Sequence, residues 1–339
     1  MLIALTGATG FAGIHILHEL VKRGYQVKAL FRSQGAYNEA ARIWRRCYGD
    51  SWDQAPVEWI RGDGAQWEAL CKLISGSDVL VHAAGLVSYH ARDRHRLYQH
   101  NVLFTRNLVD LSLGSKTLKK LVFVSSTAAI SRAETDHPIT EATPWKVSPN
   151  NVPYGQTKML AEMEVWRAYA EGLPIAILNP GIILGYGPAG SSGHSLVRHV
   201  YYSPRFYPVG SNGFVDVRDV ARCVAESIEK NIEGERFILI SENLTFQELF
   251  KRIALRLQKS PPSVPLTPRL RRFLSLAGEA LALLGFRPAI SAGILHTFSL
   301  PLRYDPSKAL KTFSGPFISV EDTLAWSIPM FMEDFKNEN

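Results

Sequence analysis

The stretch Thr6-Gly7-Ala8-Thr9-Gly10-Phe11-Ala12-Gly13 decides how the rest of the chain is interpreted. It follows Leu2 to Thr6, an apolar run typical of a buried strand, and it opens a stretch with helical spacing. Glycines at this spacing suit a backbone that must come close to a phosphate at a helix N-terminus. Within a strand–turn–helix unit, the stretch predicts a dinucleotide site. Its predicted contacts are Gly7, Thr9, Gly10, Phe11 and Gly13.

The first half of the chain alternates short strands with helices. Apolar strands are predicted at 2–6, 26–31, 57–61, 78–82, 120–124 and 174–178, and helices at 11–23, 40–47, 66–75, 94–114 and 153–171. Nearly continuous apolar strands between helices indicate a parallel sheet that is covered on both faces. Since helical crossovers are right-handed, the sequence predicts an α/β fold of the Rossmann type with a doubly wound parallel sheet.

The pattern changes after the sixth predicted strand. Residues 185–213 are rich in Gly, Ser, Pro and Tyr, and we expect long loops there with little regular structure. A helix at 217–230 and a strand at 236–240 follow, before a C-terminal part with helices separated by prolines. We expect a dinucleotide-binding Rossmann domain at 1–180, to which 214–240 return, and a smaller, mainly helical substrate-binding domain at 181–213 and 241–339.

The charge surplus leaves nucleic acid, a membrane surface or a phosphate-bearing small molecule open as partners, whereas the cysteine content argues against a disulfide-stapled or metal-binding protein. Among 339 residues, 38 Lys and Arg exceed 31 Asp and Glu, which gives a net charge of +7. The chain shows no nucleic-acid-binding motif, so we expect no nucleic acid partner. Three cysteines far apart fit a reducing compartment and lack metal-ligand spacing. The N-terminus lacks the basic region of a signal peptide, so we expect a cytoplasmic protein. Because the cysteines lack metal-ligand spacing, we expect no metal site.

One apolar segment raises the question of a membrane. No stretch reaches the roughly 18 uninterrupted apolar residues of a spanning helix. The segment from Phe273 to Phe286 comes nearest, and Arg269, Arg271 and Arg272 precede it. It could be an interfacial amphipathic helix or a helix packed on the body of the domain. We favour the second interpretation and do not expect membrane contact.

A tyrosine and a lysine mark the predicted helix at 153–171. In Pro153-Tyr154-Gly155-Gln156-Thr157-Lys158 the two side chains share one helix face, because positions four apart lie one turn from each other. A free tyrosine titrates at about 10, and a neighbouring ammonium lowers that pKa because it favours the phenolate. Tyr154 could therefore exchange protons near neutral pH, with Lys158 as its electrostatic partner.

These motifs resemble the extended branch of the short-chain dehydrogenase/reductase superfamily over most of the chain. The TGxxGxxG spacing and the YxxxK pair carry the resemblance, and residues 124–126 resemble the VSS segment of that superfamily. The resemblance implies that Ser126 polarises the substrate oxygen, Tyr154 transfers the proton, and Lys158 binds the ribose hydroxyls. Two neighbours of Ser126 are alternatives for its role: Ser125 and Thr127.

The end of the second predicted strand bears on the choice of dinucleotide. An acid at this position is typical of NAD sites, whereas this strand ends in Phe31-Arg32-Ser33. Arg32 and Ser33 can bind a 2′-phosphate by charge-assisted hydrogen bonds. We therefore predict NADP as the cofactor, with NAD as the alternative.

Small residues after the fourth predicted strand complete the predicted cofactor site. His82-Ala83-Ala84-Gly85 resembles the segment in which small side chains let the backbone approach the ribose. His82 itself is expected to be a core histidine. Asn101 lies in a segment that resembles the NVxGTxN helix of the superfamily and is given a supporting role. Asp63 resembles an adenine contact and could equally cap its loop. The resemblance extends the cofactor contacts to Asp63, Ala83, Ala84, Tyr154, Lys158 and Pro180.

Two segments separate the reactions known in this superfamily. Thr127-Ala128-Ala129 lacks the acid pair of sugar-nucleotide dehydratases, so we do not expect water elimination. Residues 214–221 resemble the FVDVRDVA of dihydroflavonol reductase-like and 3β-hydroxysteroid dehydrogenase-like proteins, and Asn212 stands where epimerases usually carry an arginine. The resemblance implies an NADP(H)-dependent oxidoreductase that reversibly reduces a ketone or aldehyde. A nucleoside-diphosphate-sugar epimerase and a non-catalytic NADP-binding sensor stay as alternatives.

Aromatic residues in the predicted loops indicate a kind of substrate. They could line a cleft for an apolar or ring-containing carbonyl or alcohol, or they could pack a core. The resemblance further implies a homodimer through the helices at 94–114 and 153–171. The aromatic residues in question are Tyr89, Tyr201, Tyr202, Phe206 and Tyr207.

Overall fold

A seven-stranded parallel sheet forms the centre of the molecule. The computed structural model describes residues 1–49, 52–130, 137–148, 151–202, 205–267 and 297–337. The sheet strands are β1 (Leu2–Thr6), β2 (Gln26–Phe31), β3 (Val57–Arg61), β4 (Val79–His82), β5 (Lys120–Val124), β6 (Ile175–Pro180) and β10 (Glu235–Leu239). Their order is β10-β6-β5-β4-β1-β2-β3, and each pairs in parallel with its neighbours. The order reverses between β1 and β4, which is where such sheets bind ligands.

Helices cover both faces of this sheet, and others pack on the smaller sheets of the molecule. They are α1 (Phe11–Lys22), α2 (Gln34–Tyr48), α3 (Trp67–Ile74), α4 (Arg94–Leu97), α5 (Phe104–Leu113), α6 (Pro153–Ala170), α7 (Ser192–Tyr202), α8 (Val217–Glu229), α9 (Phe246–Arg256), α10 (Ser307–Thr312) and α11 (Val320–Asn337). Along β1, Ile3 and Leu5 join a core with α1, α2 and α8, whereas Ala4 joins a core with α3, α5 and α6. Alternate side chains of a strand point to opposite faces, so the apolar strands are buried on both sides. The predicted doubly wound α/β fold is confirmed.

The segment at 185–213 corrects the prediction of long loops. It contains α7 and parts of two small sheets, which are formed by β7 (Ile182–Leu184), β8 (Phe206–Tyr207), β9 (Ser211–Asp216), β11 (Glu242–Thr245) and β12 (Val264–Pro265). The glycines here pack tightly: a Cβ on Gly193 would lie 2.4 Å from the Gly185 oxygen, and one on Gly213 would lie 2.3 Å from Ile240. Contacts between distant parts of the chain therefore override the weak local propensity.

The C-terminal helix α11 packs on the three-stranded small sheet, whose strand order is β11-β9-β7. The Thr323 hydroxyl donates to Asp216 at 2.7 Å, and Asp216 in turn begins α8 as its N-cap. Within the described residues, no helix has the length and apolar character needed to cross a membrane. The segment from Phe273 to Phe286 and the arginines before it lie outside the described residues.

Candidate active site

The turn between β1 and α1 fits against the segment that follows β4. Gly7 has a φ of +74°, and a Cβ there would lie 2.6 Å from the Ala84 nitrogen and 2.8 Å from the Ala83 carbonyl carbon. A Cβ on Gly13 would lie 1.8 Å from the Gly7 oxygen, so helix and strand cross here without room for a side chain. The glycine turn and Ala83–Ala84 therefore meet at the switch point of the sheet.

The N-terminus of α1 is open to an anion. Its N-cap is Gly10, which has no side chain to accept from the first backbone N–H groups, and its first turn contains no acidic residue. Gly10 is exposed, while Thr9 and Phe11 are partly exposed. Free N–H donors and the positive end of the helix dipole favour a phosphate at such a site. The glycine turn and the N-terminus of α1 therefore fit the pyrophosphate of a dinucleotide.

Arg32 and Asp63 lie after neighbouring strands on the far side of the switch point. Arg32 is exposed at the end of β2 and makes no ion pair with the residues that the structure describes. Ser33 is the N-cap of α2 and accepts from the Ala36 nitrogen at 3.3 Å. Asp63 accepts from the Ala65 nitrogen at 2.9 Å, so it caps its loop. Arg32 is the residue of this group that is available for a phosphate.

Tyr154 and Lys158 lie on the first turns of α6, which begins at Pro153. Lys158 is 3% exposed, its Nζ donates to the Val124 oxygen at 3.0 Å, and Nζ lies 4.3 Å from the centre of the Phe123 ring. Burial lowers the pKa of Lys158 to about 8, while the nearby Glu162 carboxylate raises it. Lys158 is therefore an ammonium at neutral pH.

The first turn of α6 packs on the turn that follows β5, a 3₁₀ turn at Thr127–Ala129. A Cβ on Gly155 would lie 2.6 Å from the Ala128 oxygen, and this close approach brings the Tyr154 end of α6 beside Ser126. Ser125 and Thr127 are buried, whereas Ser126 is partly exposed. The Ser126 hydroxyl accepts from the Ala128 nitrogen at 3.1 Å. Ser126 is thus the accessible hydroxyl among the three predicted candidates.

Asn101 ties α6 to the segment after β4. It lies in a π-helix, Tyr98–Leu103, that interrupts the predicted helix at 94–114. Its Oδ1 accepts from the Leu86 nitrogen at 2.8 Å, and its Nδ2 donates to the Thr157 hydroxyl at 3.1 Å. Single π-turns are frequent at functional sites. Asn101 therefore fixes the backbone around the predicted catalytic pair.

His82 is a core residue. Its ring is hydrogen-bonded to Thr6 at 2.6 Å and to Thr105 at 3.0 Å. Burial lowers its pKa to about 3, so the ring is neutral at physiological pH. His82 therefore orders the end of β4.

Glu162, Asn179 and Arg236 form a network behind this site, in which Glu162 and Asn179 are buried and Arg236 is partly exposed. The sequence analysis assigned no role to Glu162 or Arg236. The Asn179 Nδ2 donates to Glu162 at 2.5 Å and to the Ser126 oxygen at 3.0 Å, and Arg236 lies 3.5 Å from the other Glu162 oxygen. A usable signal was present, since a glutamate one turn after Lys158 falls on the buried face of α6.

Tyr89 and Phe298 form an aromatic wall beside Tyr154. The Tyr89 ring centre lies 6.2 Å from that of Tyr154 and 6.3 Å from that of Phe298. Phe298 in turn stacks on Phe246 of α9 at 4.6 Å. Rings at these separations attract one another, and their faces suit a flat apolar ligand.

The other predicted pocket aromatics lie elsewhere. Tyr201 and Tyr202 pack against Phe335 of α11, with ring centres 4.9 and 5.8 Å apart. Phe206 and Tyr207 form β8. Of the two interpretations offered by the sequence, core packing holds for Tyr201, which is partly buried against the core, whereas Tyr202 is exposed on the surface beside Phe335. In the described parts of the chain, no group of three His, Cys, Asp or Glu residues is arranged to hold a metal ion.

A comparison with protein families identifies the class. Residues 3–239 match the model of the NAD dependent epimerase/dehydratase family, which is more than half of the chain. The chain belongs to this family, and it is an enzyme of the NAD(P)-dependent oxidoreductase type.

Similar proteins include two reductases. A putative dihydroflavonol 4-reductase of Synechocystis is 29% identical over 338 residues, which cover 96% of this chain and 93% of the relative. Cinnamoyl-CoA reductase 2 of Arabidopsis thaliana is 28% identical over 265 residues, which cover 75% of this chain and 76% of the relative.

A sugar-nucleotide enzyme shares the fold. The UDP-glucuronic acid 4-epimerase of Bacillus cereus, solved with UDP-glucuronic acid and NAD, superposes with a TM-score of 0.75 over 98% of this chain and 99% of that chain. The two sequences are 20% identical, so this likeness concerns the fold alone.

Proposed function

We propose that this chain is an NADP(H)-dependent reductase of ketones or aldehydes, similar in activity to dihydroflavonol reductases. The observation that carries the proposal is the close packing of the Tyr154 end of α6 on the turn that holds Ser126. The open N-terminus of α1 would hold the pyrophosphate, and Pro180 at the end of β6 would border the nicotinamide. The bound nicotinamide would supply a hydride.

The chain's own residues would then handle the proton. The Ser126 hydroxyl donates a hydrogen bond to the substrate carbonyl oxygen and polarises it. The Tyr154 hydroxyl delivers a proton to that oxygen, and the Lys158 ammonium favours the phenolate that results. Neutral His82 and Asn101 keep the surrounding backbone in place.

The choice of NADP over NAD rests on Arg32. Its guanidinium is exposed and has no acidic partner among the described residues, so it is available to a 2′-phosphate. The predicted adenine contact Asp63 is engaged as a loop cap, so its contribution to cofactor binding is a further prediction. We propose a cytoplasmic enzyme, since Cys47, Cys71 and Cys223 are all free thiols.

The substrate is proposed to be an apolar, ring-containing carbonyl compound. Tyr89 and Phe298 would hold the ring beside Tyr154. An anchoring arginine for a sugar nucleotide is replaced by Asn212, which is 4% exposed and accepts from the Gly213 nitrogen at 2.9 Å. This buried amide is not available to a diphosphate.

The test is a direct assay. Purified protein is mixed with NADPH and a panel of aryl ketones and aldehydes, and loss of the reduced nicotinamide is followed by absorbance. We expect Tyr154→Phe to slow the reaction roughly 100- to 10,000-fold, the usual contribution of a general acid. Tyr169→Phe, on the exposed face of the same helix, is the matched control and should leave the rate unchanged.

Two outcomes would overturn this proposal. Oxidation of NADPH that survives Tyr154→Phe excludes the mechanism. An inert carbonyl panel together with interconversion of UDP-sugars, measured by product chromatography, identifies an epimerase instead.

We also propose that the chain forms a homodimer through the outer faces of α4, α5 and α6. Tyr98, Leu103 and Met163 are large apolar side chains exposed on the π-helix and α6. Burying such side chains stabilises association. Light scattering after gel filtration should show a dimer, and Met163→Lys should shift it to a monomer. A monomeric parent protein excludes this interface.

A further inference from the structure

Glu162 is a charged residue in the interior, one helical turn behind Lys158. Its side chain is 4% exposed, and the side chains around it come from three other elements. Asn179 of β6 donates to one carboxylate oxygen at 2.5 Å, and Arg236 of β10 lies 3.5 Å from the other. A buried carboxylate is costly unless it is paired and hydrogen-bonded, so its presence calls for a reason.

The groups around Glu162 have opposing effects on its ionisation. Burial raises the pKa of Glu162, while Ser125, Arg236, Asn179 and Lys158 lower it. The Ser125 hydroxyl is buried and makes no fully formed hydrogen bond among the described residues, although it lies near enough to favour the carboxylate. A structural role alone would be served by a neutral side chain at lower cost.

Lys158 has few other anionic neighbours. Its Nζ is held by a neutral carbonyl and a ring face, those of Val124 and Phe123. His82, which is close enough to Lys158 to feel its charge, is neutral because burial lowers its pKa to about 3. Glu162 is the charged group whose effect raises the pKa of Lys158. The two residues act on each other across one helical turn, without a direct ion pair.

We propose that Glu162 is a positioning residue that keeps Lys158 charged in its buried site, and so sets the upper pH limit of cofactor binding. This inference rests on the proposed function, in which the Lys158 ammonium binds the cofactor ribose. Asn179 and Arg236 hold the Glu162 carboxylate in the interior, one helical turn from Lys158. Glu162 touches neither cofactor nor substrate and acts only through Lys158.

The experiment isolates Lys158 by removing the tyrosine that titrates beside it. In the Tyr154→Phe protein, the NADPH dissociation constant is measured by fluorescence from about pH 6.5 to pH 9.5, a range that spans the lysine transition. The affinity should fall above a break near pH 8, where Lys158 loses its proton. Adding Glu162→Gln should move that break down by about one pH unit, because the compensating charge is lost.

Two further variants make the result specific. Glu164→Gln removes a carboxylate from the same helix that pairs with Arg167 at 2.9 Å, and it should leave the break in place. Arg236→Gln removes the cation that favours the Glu162 carboxylate. It should therefore move the break downward, in the same direction as Glu162→Gln, which provides a test if Glu162→Gln does not fold. Because Glu162 is buried, thermal unfolding is recorded for each variant.

The outcomes separate the inference from the proposed function. A parent protein that binds no NADPH at any pH contradicts the proposed function. A parent that binds NADPH but has no break near pH 8 overturns the inference. An unmoved break in Glu162→Gln, or an equal shift in Glu164→Gln, overturns it too.

Discussion

The turn after β1 and the segment after β6 differ in how their structure is determined. The turn after β1 is fixed by local backbone needs: Gly7 requires a positive φ, and Gly13 must pass the backbone of Gly7 without a side chain. The segment after β6 depends on distant partners, since β9 pairs with β11 and Tyr201 packs on Phe335. The comparison teaches that the proposed cofactor site is encoded in short stretches, whereas the proposed substrate side is encoded in long-range packing.

The largest expected effect tests the local side of this comparison. Gly13→Ala would place a Cβ 1.8 Å from the Gly7 oxygen, so we expect the free energy of unfolding to fall by about 3 kcal/mol. Gly35→Ala is the matched control in α2, where a Cβ meets no atom within 4 Å and helix propensity improves by up to about 1 kcal/mol. Urea denaturation of both variants measures the difference, and equal midpoints would contradict the account of the crossing.

Two buried histidines give the second effect. His82 contacts Thr6 at the end of β1, and His15 of α1 contacts the segment that follows β6 and β7. Burial lowers the pKa of His82 to about 3 and that of His15 to about 4. His15 contacts the Tyr186 oxygen at 2.9 Å and so joins α1 to the segment after β7. Below pH 6.5 the unfolded chain binds more protons than the folded one, so stability falls as the pH falls.

The expected slope is about 1.4 kcal/mol per pH unit for each histidine between pH 6.5 and about 4. Denaturation at a series of pH values measures it. His15→Gln and His82→Gln should each remove one histidine's share of the slope. A variant whose slope equals that of the parent shows that the pKa of the histidine in question is the same in the folded and unfolded states.

The third effect concerns the cofactor. Arg32→Asp should lower kcat/KM for NADPH about 100-fold and leave the value for NADH within a few-fold, because the charge-assisted hydrogen bonds to a 2′-phosphate are lost. Arg45→Asp makes the same charge change on α2, where Arg45 pairs with Asp53 at 2.9 Å. If both variants lose NADPH activity equally, the loss comes from the changed overall charge of this surface, and Arg32 makes no specific contact with the 2′-phosphate.

The smallest effect tests the substrate side. Tyr89→Ala should raise KM for an aryl ketone about tenfold, since one ring contact is lost, and leave small aliphatic aldehydes unaffected. Tyr202→Ala is the comparison, because Tyr202 packs on Phe335 and should cost stability without changing KM. A rise in KM for Tyr202→Ala would show that Tyr202 contacts the substrate, and would contradict its assignment outside the pocket.

The sequence predicted the sheet and its helices well because apolar runs and glycine spacing are local signals. It placed β2 at 26–31 and β5 at 120–124, as the structure has them. It missed α7, whose first turn, Ser192-Gly193-His194, lacks helix formers and is held by packing against distant residues. It also missed Glu162, which is buried, because a charged residue on a helix is ordinarily solvated; its place one turn after Lys158 was the signal that went unused.

The pairing of β6 with β10 has a consequence for how such enzymes diversify. Pro180 and Leu239 are register partners, and the chain leaves the large sheet toward the substrate side after each of them. The two exits therefore stand side by side on neighbouring strands. A recombinant that exchanges the proposed substrate-binding part for a relative's would need to match the backbone at these two neighbouring exits and at the return from β9 into α8, while the proposed cofactor-binding part stays as it is.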